Sequence, residues 1–283
     1  MANIIILQTF STASTQVEKE SFISIRSFLL CADYQRLSFL PLRCVNLYLR
    51  RMALKQLIPN GLTLLNASLG GLAIILLLRF QDVETACLCI LGAAIADFFD
   101  GFAARMLNVA GPLGKQLDSL ADAISFGVFP ALLGVFTLEN LGVDSWVMYT
   151  PLIILPASVY RLANFNIDTR QTHGFIGIPT PAVTLLWVGI AMTIYSLDFQ
   201  FNWLPIGIVV AAIASAYLLN ANIPMLSMKI VGGKISRSQA ILIAISLATF
   251  AIVYLLARNP WAPVPFILLL YPIISVITRT KHA

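Results

Sequence analysis

The chain has 283 residues, of which 59 % are hydrophobic and only 11 % are charged, with a formal net charge of +5. A soluble domain carries about 25 % charged residues, so this composition excludes a soluble globular protein and predicts one that crosses a membrane several times. Because the basic residues are scattered at the ends of apolar stretches, the positive charge indicates membrane topology and not nucleic-acid binding.

The first 51 residues differ from the rest of the chain. Their apolar run at 4–7 is too short to span a bilayer. They also lack the basic start, long apolar core and small-residue cleavage site of a signal peptide. We predict that residues 1–51 are an extension, either disordered or a misannotated start. The alternative is an interfacial anchor whose apolar part is 23–30.

Residues 52–283 form one predicted domain without an internal repeat. Its apolar stretches each approach the roughly 20 residues that a helix needs to cross a bilayer, and the links between them are short. The four cysteines have neither zinc-type spacing nor a disulfide pattern, so free thiols are expected. We predict an all-α polytopic bundle of about eight transmembrane helices, at approximately 61–80, 83–104, 118–138, 146–166, 180–197, 203–220, 239–257 and 261–278.

Charge sorts the links into two alternating sets. The links after spans two, four and six and the C-terminal tail are basic, whereas the links after spans one, three, five and seven hold only Arg79 and Arg258 as cations, beside Asp82, Glu84, Glu139, Asp144 and Asp198. The positive-inside rule places the basic set in the cytoplasm, and an even number of spans then places both termini there. The basic set consists of Arg105, Lys115, Arg161, Arg170, Lys229, Lys234, Arg237, Arg279 and Lys281.

Four aspartates interrupt the apolar sequence between positions 97 and 122. Each costs roughly 2.5 to 3.5 kcal/mol at bilayer depth, so the set would cost on the order of 10 kcal/mol without compensation. Asp97 and Asp100 are i, i+3 on one helix, and Asp118 and Asp122 are i, i+4 on the next. The Gly111-Pro112 pair is predicted to stop the first of these helices. Two helices would therefore direct two carboxylates each at one point, which suits Mg²⁺ or Mn²⁺.

Small residues and a cation accompany this cluster. Gly101 and Ala104 share the helix face of Asp97 and Asp100, so a large group could approach the backbone there. Arg105 follows with a planar cation suited to phosphate. The alternatives are a polar hairpin with paired charges and a proton or cation pathway. Neither requires small residues and an arginine at this spacing.

The complete pattern, Asp97-x2-Asp100-Gly101-x2-Ala104-Arg105-x8-Gly114-x3-Asp118-x3-Asp122, resembles that of the CDP-alcohol phosphatidyltransferases. Met52 also begins a segment similar to the ordinary start of this family. The resemblance implies transfer of a phosphatidyl group from a CDP-linked lipid to an alcohol, with release of CMP, by a homodimer. It implies two Mg²⁺ or Mn²⁺ ions at Asp97, Asp100, Asp118 and Asp122, with Asp122 also accepting the proton of the attacking hydroxyl. The CDP-diacylglycerol contacts that it implies are Asn60, Thr63, Gly101, Ala104, Arg105 and Gly114, with Pro59 opening the first span.

Three later segments are similar to those of the integral-membrane phosphatidylserine synthases of that family: 125–130, 161–166 and 175–181. They imply L-serine as the acceptor, with Ser125, Arg161, Asn164 and Asn166 as candidate acceptor-binding residues. Arg161 could bind the serine carboxylate, or it could be only a topology charge at the end of a span. Many relatives have a basic residue where this chain has Asn164, so a cationic contact from that position is not expected.

Two alternatives remain open at this point. The first keeps the chemistry but uses glycerol 3-phosphate, inositol phosphate or choline as acceptor. The second is a membrane transporter or channel, which would require polar residues at the midplane of several spans. The sequence shows almost none in spans five to eight.

Overall fold

The computed structural model describes residues 42–167, 175–197, 201–225 and 237–279. Residues 1–41 of the predicted extension, together with Arg170, Lys229, Lys234 and Lys281, therefore lie outside the described residues. The chain divides into two compact units, Met1–Leu54 and Lys55–Ala283, and the candidate site lies within the second.

Helices account for nearly all of the described chain. Three irregular helical turns join consecutive helices: Leu76–Phe80 and Ala123–Val128 are π-helical, and Trp146–Ile153 is a 3₁₀ helix. Two-residue strands β1 (Phe175–Ile176) and β2 (Pro224–Met225) pair antiparallel and are the departure from an all-α chain. The α-helices are α1 (Leu42–Ile75), α2 (Val83–Met106), α3 (Pro112–Asp122), α4 (Phe129–Asn140), α5 (Ile154–Ile167), α6 (Thr180–Leu197), α7 (Leu204–Asn220), α8 (Arg237–Ala257) and α9 (Pro263–Arg279).

The lengths and composition of these helices confirm the polytopic membrane class. Five helical stretches in the described chain are long and apolar enough to cross a membrane, and three shorter apolar helices follow them. All eight lie where the sequence predicts a span. The five are Leu54–Phe80, Val83–Met106, Pro112–Asn140, Trp146–Ile167 and Thr180–Leu197, and the three are Leu204–Asn220, Leu242–Ala257 and Pro263–Ser275.

The prediction that Pro59 opens the first span is wrong, because it lies inside α1. A proline removes one backbone donor, here the one that would bond to the carbonyl of Lys55. Lys55 lies on an exposed part of the helix, where that carbonyl can find another partner.

The turn between α2 and α3 also differs from prediction. The Gly111-Pro112 pair begins α3 instead of ending α2: Gly111 is its extended N-cap and Pro112 its first residue. The end of α2 is set by Asn108, which has a φ of 53°. The amides of Asn108 and Val109 then bond back to the carbonyls of Arg105 and Ala104, at 3.2 and 3.0 Å, which is a Schellman closure.

The core is centred on α4 and α6. The stretch Pro112–Asn140 is the most enclosed of the five spans, with 67 % of an 18-residue window in it buried inside the protein. Phe129, Leu133 and Trp187 are fully buried there. The Asp-bearing α3 runs through the π-helical turn into this core helix, so its position is fixed by the packing. The two cysteines whose side chains are described, Cys87 and Cys89, are free thiols, as predicted.

Candidate active site

The four aspartates converge where α2 and α3 meet. Carboxylate oxygens of Asp97, Asp100 and Asp118 all lie within 4.8 Å of one another. Asp97 is also within hydrogen-bonding reach of Asp118 and Asp122. Asp100 and Asp122 are only 4 % and 8 % exposed, whereas Asp97 and Asp118 are half-buried. The predicted convergence of two carboxylates from each helix is therefore present.

The chemistry of this donor set fits a divalent cation. Two like charges about 4 Å apart repel by roughly 4 kcal/mol at the effective dielectric of a protein surface, and more where water is excluded. Carboxylates at this distance become compatible when a cation lies among them. Hard oxygen ligands favour Mg²⁺ or Mn²⁺ over the softer metals. These residues could accordingly hold such an ion.

Helix α1 supports two of the carboxylates with polar side chains. Thr63 Oγ1 lies 2.5 Å from Asp100 Oδ2 and 3.0 Å from the carbonyl oxygen of Pro59. Its single hydrogen serves the shorter contact, because a charged acceptor makes the stronger bond. Asn66 is fully buried and its Nδ2 donates to Asp122 Oδ1 at 3.3 Å.

Sequence reasoning missed Asn66. The available signal was its i, i+3 spacing from Thr63, which places both side chains on the helix face that meets the aspartates.

Gly101 and Gly114 lie where side chains of other site residues come close to the helix backbone. A Cβ atom on Gly101 would be 3.4 Å from Nη1 of Arg105, so the arginine folds back over this position toward Asp100. A Cβ atom on Gly114 would be 3.5 Å from Oδ1 of Asn60, which brings α1 and α3 together. Ala104 is half-buried on the same helix as Gly101. The residues proposed to contact the CDP-lipid thus surround the carboxylates on three helices.

Arg161 approaches the cluster from α5. It lies within that helix rather than at the end of a span, and it is 9 % exposed. Its charge interacts with that of Asp122. A charge that served topology alone would face the aqueous boundary, whereas this guanidinium is buried within electrostatic range of a carboxylate.

The end of α5 is tied to α3 by Asn166. Its Nδ2 donates to Ser119 Oγ at 2.8 Å, and its backbone carbonyl accepts from Lys115 Nζ at 2.7 Å. Lys115 and Ser119 were not predicted as part of the site. The signal for Ser119 was its position next to Asp118 and three residues before Asp122 on a polar helix face.

The other two candidate acceptor residues lie in different environments. Asn164 is partly exposed near the end of α5. Ser125 is fully buried in the π-helical turn, where its hydroxyl donates to the backbone carbonyl of Asn66 at 3.1 Å. The structure therefore brings Asn66 to Asp122 and Asn166 to Ser119, with Arg161 in electrostatic range of Asp122, while Ser125 holds α1 against the π-helical turn.

An apolar groove lies between α1 and α2. Its volume is about 480 Å³. Two of its lining residues on α2, Ala96 and Phe99, directly precede Asp97 and Asp100 in the sequence. The groove continues along both helices past Leu62, Leu65, Phe102 and Met106.

Comparison with known proteins identifies relatives over most of this region. The model of the CDP-alcohol phosphatidyltransferase family matches residues 56–217. A CDP-diacylglycerol–serine O-phosphatidyltransferase of Bacillus subtilis (strain 168) is 34 % identical over 170 residues, covering 59 % of this chain and 88 % of that protein. One of the same name from Mycobacterium tuberculosis (strain ATCC 25618 / H37Rv) is 31 % identical over 213 residues, covering 72 % of this chain and 73 % of that protein. An archaetidylserine synthase of Methanothermobacter thermautotrophicus is 33 % identical over 164 residues, covering 56 % and 67 %.

Proposed function

We propose that this chain, which belongs to the CDP-alcohol phosphatidyltransferase family, transfers a phosphatidyl group from CDP-diacylglycerol to L-serine and releases CMP. The observation that carries the proposal is the convergence of four carboxylates from α2 and α3 with Arg161 beside them. The names of the bacterial relatives support serine as the acceptor.

We propose Asp97, Asp100, Asp118 and Asp122 as the ligands of Mg²⁺ or Mn²⁺, with two ions in each site. When bound, such ions neutralise charge on the pyrophosphate oxygens and on the departing CMP. The proximity of the carboxylate oxygens supports this assignment, and Thr63 would hold Asp100 in place through its hydroxyl.

Asp122 would act as the general base. In the transfer, the serine oxygen forms a bond to the β-phosphorus, the bond from that phosphorus to the CMP oxygen breaks, and the hydroxyl proton moves to Asp122. A carboxylate is a weak base for an alcohol, so the proton must leave as the oxygen attacks and not before. The bond from Asn66 to Asp122 Oδ1 supports this role, because it orients the carboxylate.

The CDP-lipid would approach from α1 and α2. Its phosphates would lie over Gly101 and Ala104, where Arg105 supplies a planar cation for phosphate oxygens. The apolar groove between α1 and α2 is suited to an acyl chain of the same lipid, since its lining is hydrophobic and both helices also carry residues of the site.

Arg161 would bind the serine carboxylate. A carboxylate entering a site of aspartates and phosphates needs a local cation to offset repulsion, and Arg161 is the buried cation beside Asp122. A phosphorylated acceptor would require several clustered cations, and α5 supplies this one at the cluster. The site thus favours an unphosphorylated amino-acid alcohol.

The protein is an integral membrane protein, and we propose that its active site opens at the cytoplasmic end. The basic links predicted from the sequence support that orientation. We also propose a homodimer, as the family resemblance implies, and a domain that begins near Met52.

A panel of acceptors tests the function. Purified protein is incubated with CDP-diacylglycerol, Mn²⁺ or Mg²⁺, and one of serine, glycerol 3-phosphate, inositol phosphate or choline, and CMP release is measured. We expect release with serine and little with the others. CMP release with a different acceptor would support the proposed reaction but show that serine is not the acceptor. CMP release with none of them would refute both the reaction and the acceptor.

A further inference from the structure

Four buried side-chain atoms in the described part of the chain have no hydrogen-bond partner: Asn66 Oδ1, Ser158 Oγ, Arg161 Nε and Asn166 Oδ1. A buried polar atom without a partner costs about 1 to 3 kcal/mol, so such atoms are normally rare and scattered. Here all four belong to α1 and α5, the two helices that flank α3 and its π-helical turn. We call the region where α1 and α5 flank α3 and its π-helical turn the seam. The concentration of unpartnered atoms along the seam indicates that a polar ligand supplies their hydrogen-bond partners.

The contacts of these residues place the seam around Asp122. Asn66 bonds to Asp122 from α1, and Arg161 interacts with the same carboxylate from α5. Asn166 bonds to Ser119, about one turn before Asp122 on α3. Ser158 packs against Gly127, where a Cβ atom would be 3.4 Å from that of the serine. Of the four residues, Asn66 contacts the proposed base directly and Arg161 lies within electrostatic range of it.

The Asn66 oxygen is a fixed acceptor in this arrangement. Its Nδ2 is 3.3 Å from Asp122 Oδ1, and a carboxylate oxygen accepts but does not donate, so the amide nitrogen must face the aspartate. The Ser125 hydroxyl bonds to the backbone carbonyl of Asn66 at 3.1 Å and holds this turn of α1. The side chain is fully buried, so Oδ1 cannot turn to solvent.

The two groups that flank Asp122 have complementary polarity. Asn66 Oδ1 accepts hydrogen bonds, whereas Arg161 Nε donates them. A ligand that satisfies both must carry a donor on one side and an anion on the other, with its reactive oxygen between them at the base. An α-amino acid that bears a hydroxyl has this arrangement.

We propose that Asn66 is an acceptor-binding residue whose Oδ1 receives the ammonium group of the amino-acid alcohol while Arg161 binds its carboxylate. This inference rests on the proposed function, since it adds a residue to the serine pocket. It separates Asn66 from a purely positioning role, in which the amide would only orient Asp122.

The test compares three ligands that differ in one group each. Serine has both charged groups, ethanolamine lacks the carboxylate, and 3-hydroxypropanoate lacks the ammonium. Dissociation constants are measured calorimetrically on the purified protein with CMP and Mg²⁺ present, so that no turnover is required. We expect Asn66→Leu to weaken the binding of serine and of ethanolamine by about tenfold or more, as for loss of a hydrogen bond to a charged group. Binding of 3-hydroxypropanoate should change by less than about twofold.

Two further variants provide the comparison. Arg161→Ala should give the complementary pattern, weakening serine and 3-hydroxypropanoate while sparing ethanolamine. Asn259→Leu is the matched control, because Asn259 is also a buried asparagine but both its amide groups have partners, Ser196 Oγ and the amide of Trp261. It should lower the unfolding temperature without changing any of the three constants.

The outcomes separate the inference from the function on which it rests. If Asn66→Leu weakens all three ligands equally, or none of them, Asn66 does not bind the ammonium and the inference is overturned. If the wild-type protein binds no serine, the proposed function itself fails. Should the leucine variant not fold, Asn66→Ser is measured instead, because it also removes the carboxamide oxygen and must show the same ligand selectivity.

Discussion

A single methyl group placed at Gly70 should disable the site without touching a carboxylate. A Cβ atom there would lie 2.2 Å from Oγ and 3.0 Å from Cα of Ser125. The hydroxyl could rotate away, but the Cα atom is backbone, and carbon atoms normally approach to only about 3.5 to 4.0 Å. Helix α1 and the π-helical turn must therefore separate by roughly half an ångström or more in Gly70→Ala.

That separation acts directly on the proposed catalytic groups. Helix α1 carries Thr63 and Asn66, whose side chains bond to Asp100 and Asp122. Overpacking of this kind costs about 1 to 3 kcal/mol of stability. A displacement of about 1 Å at a reacting group can cost about a hundredfold in rate, so we expect kcat/KM for serine to fall by roughly ten- to a hundredfold.

The neighbouring glycine supplies the control. A Cβ atom on Gly71 would meet nothing within 4 Å, so Gly71→Ala makes the same chemical change on the same helix without the clash. Turnover of CDP-diacylglycerol and thermal unfolding are measured for both variants in parallel. Equal activity of Gly70→Ala and Gly71→Ala would refute the claim that contact between α1 and the π-helical turn aligns the carboxylates.

Substitutions at four residues of the site give further predictions. Asp122→Asn should lower turnover roughly 10²- to 10⁴-fold while the protein still folds, and a variant with more than about a tenth of wild-type activity would exclude Asp122 as the base. Asp97→Ala and Asp100→Ala should each weaken metal-dependent binding of the CDP-lipid, and their effects should be strongly non-additive. If the metal titration curve of either variant overlays that of the wild type, the assignment of that residue as a metal ligand is wrong. Arg161→Ala should raise the KM for serine by about ten- to more than a hundredfold and leave the KM for CDP-diacylglycerol nearly unchanged. Arg170→Ala should have a smaller effect on the KM for serine. If Arg170→Ala has the larger effect instead, the serine carboxylate contacts Arg170 and not Arg161.

The spacing of the aspartates was sufficient to predict how they meet. Asp97 and Asp100 are one turn apart on α2, as are Asp118 and Asp122 on α3, and a short turn between the helices leaves only one way for the two pairs to face each other. The apolar stretches likewise predicted the spans, because a bilayer imposes a minimum length on each helix.

Features that depend on packing between distant segments were not predictable in this way. Asn66 shares a helix face with Thr63, but only the approach of α1 to α3 gives it Asp122, 56 positions later, as a partner. The burial of Arg161 has the same origin, since a basic residue near the end of a predicted span usually faces water. Pro59 was placed at a helix start because propensity is local, whereas α1 continues on both sides of it.

The central claim is that the carboxylates of α2 and α3 catalyse metal-dependent phosphatidyl transfer to serine. Its most direct test measures CMP and phosphatidylserine in the same reaction, using purified protein, CDP-diacylglycerol and isotopically labelled serine, first without and then with added Mn²⁺ or Mg²⁺. The account predicts no product before the metal is added and equimolar CMP and labelled phosphatidylserine afterwards. Transfer that proceeds undiminished in the presence of a chelator, or CMP release without labelled lipid, would contradict it.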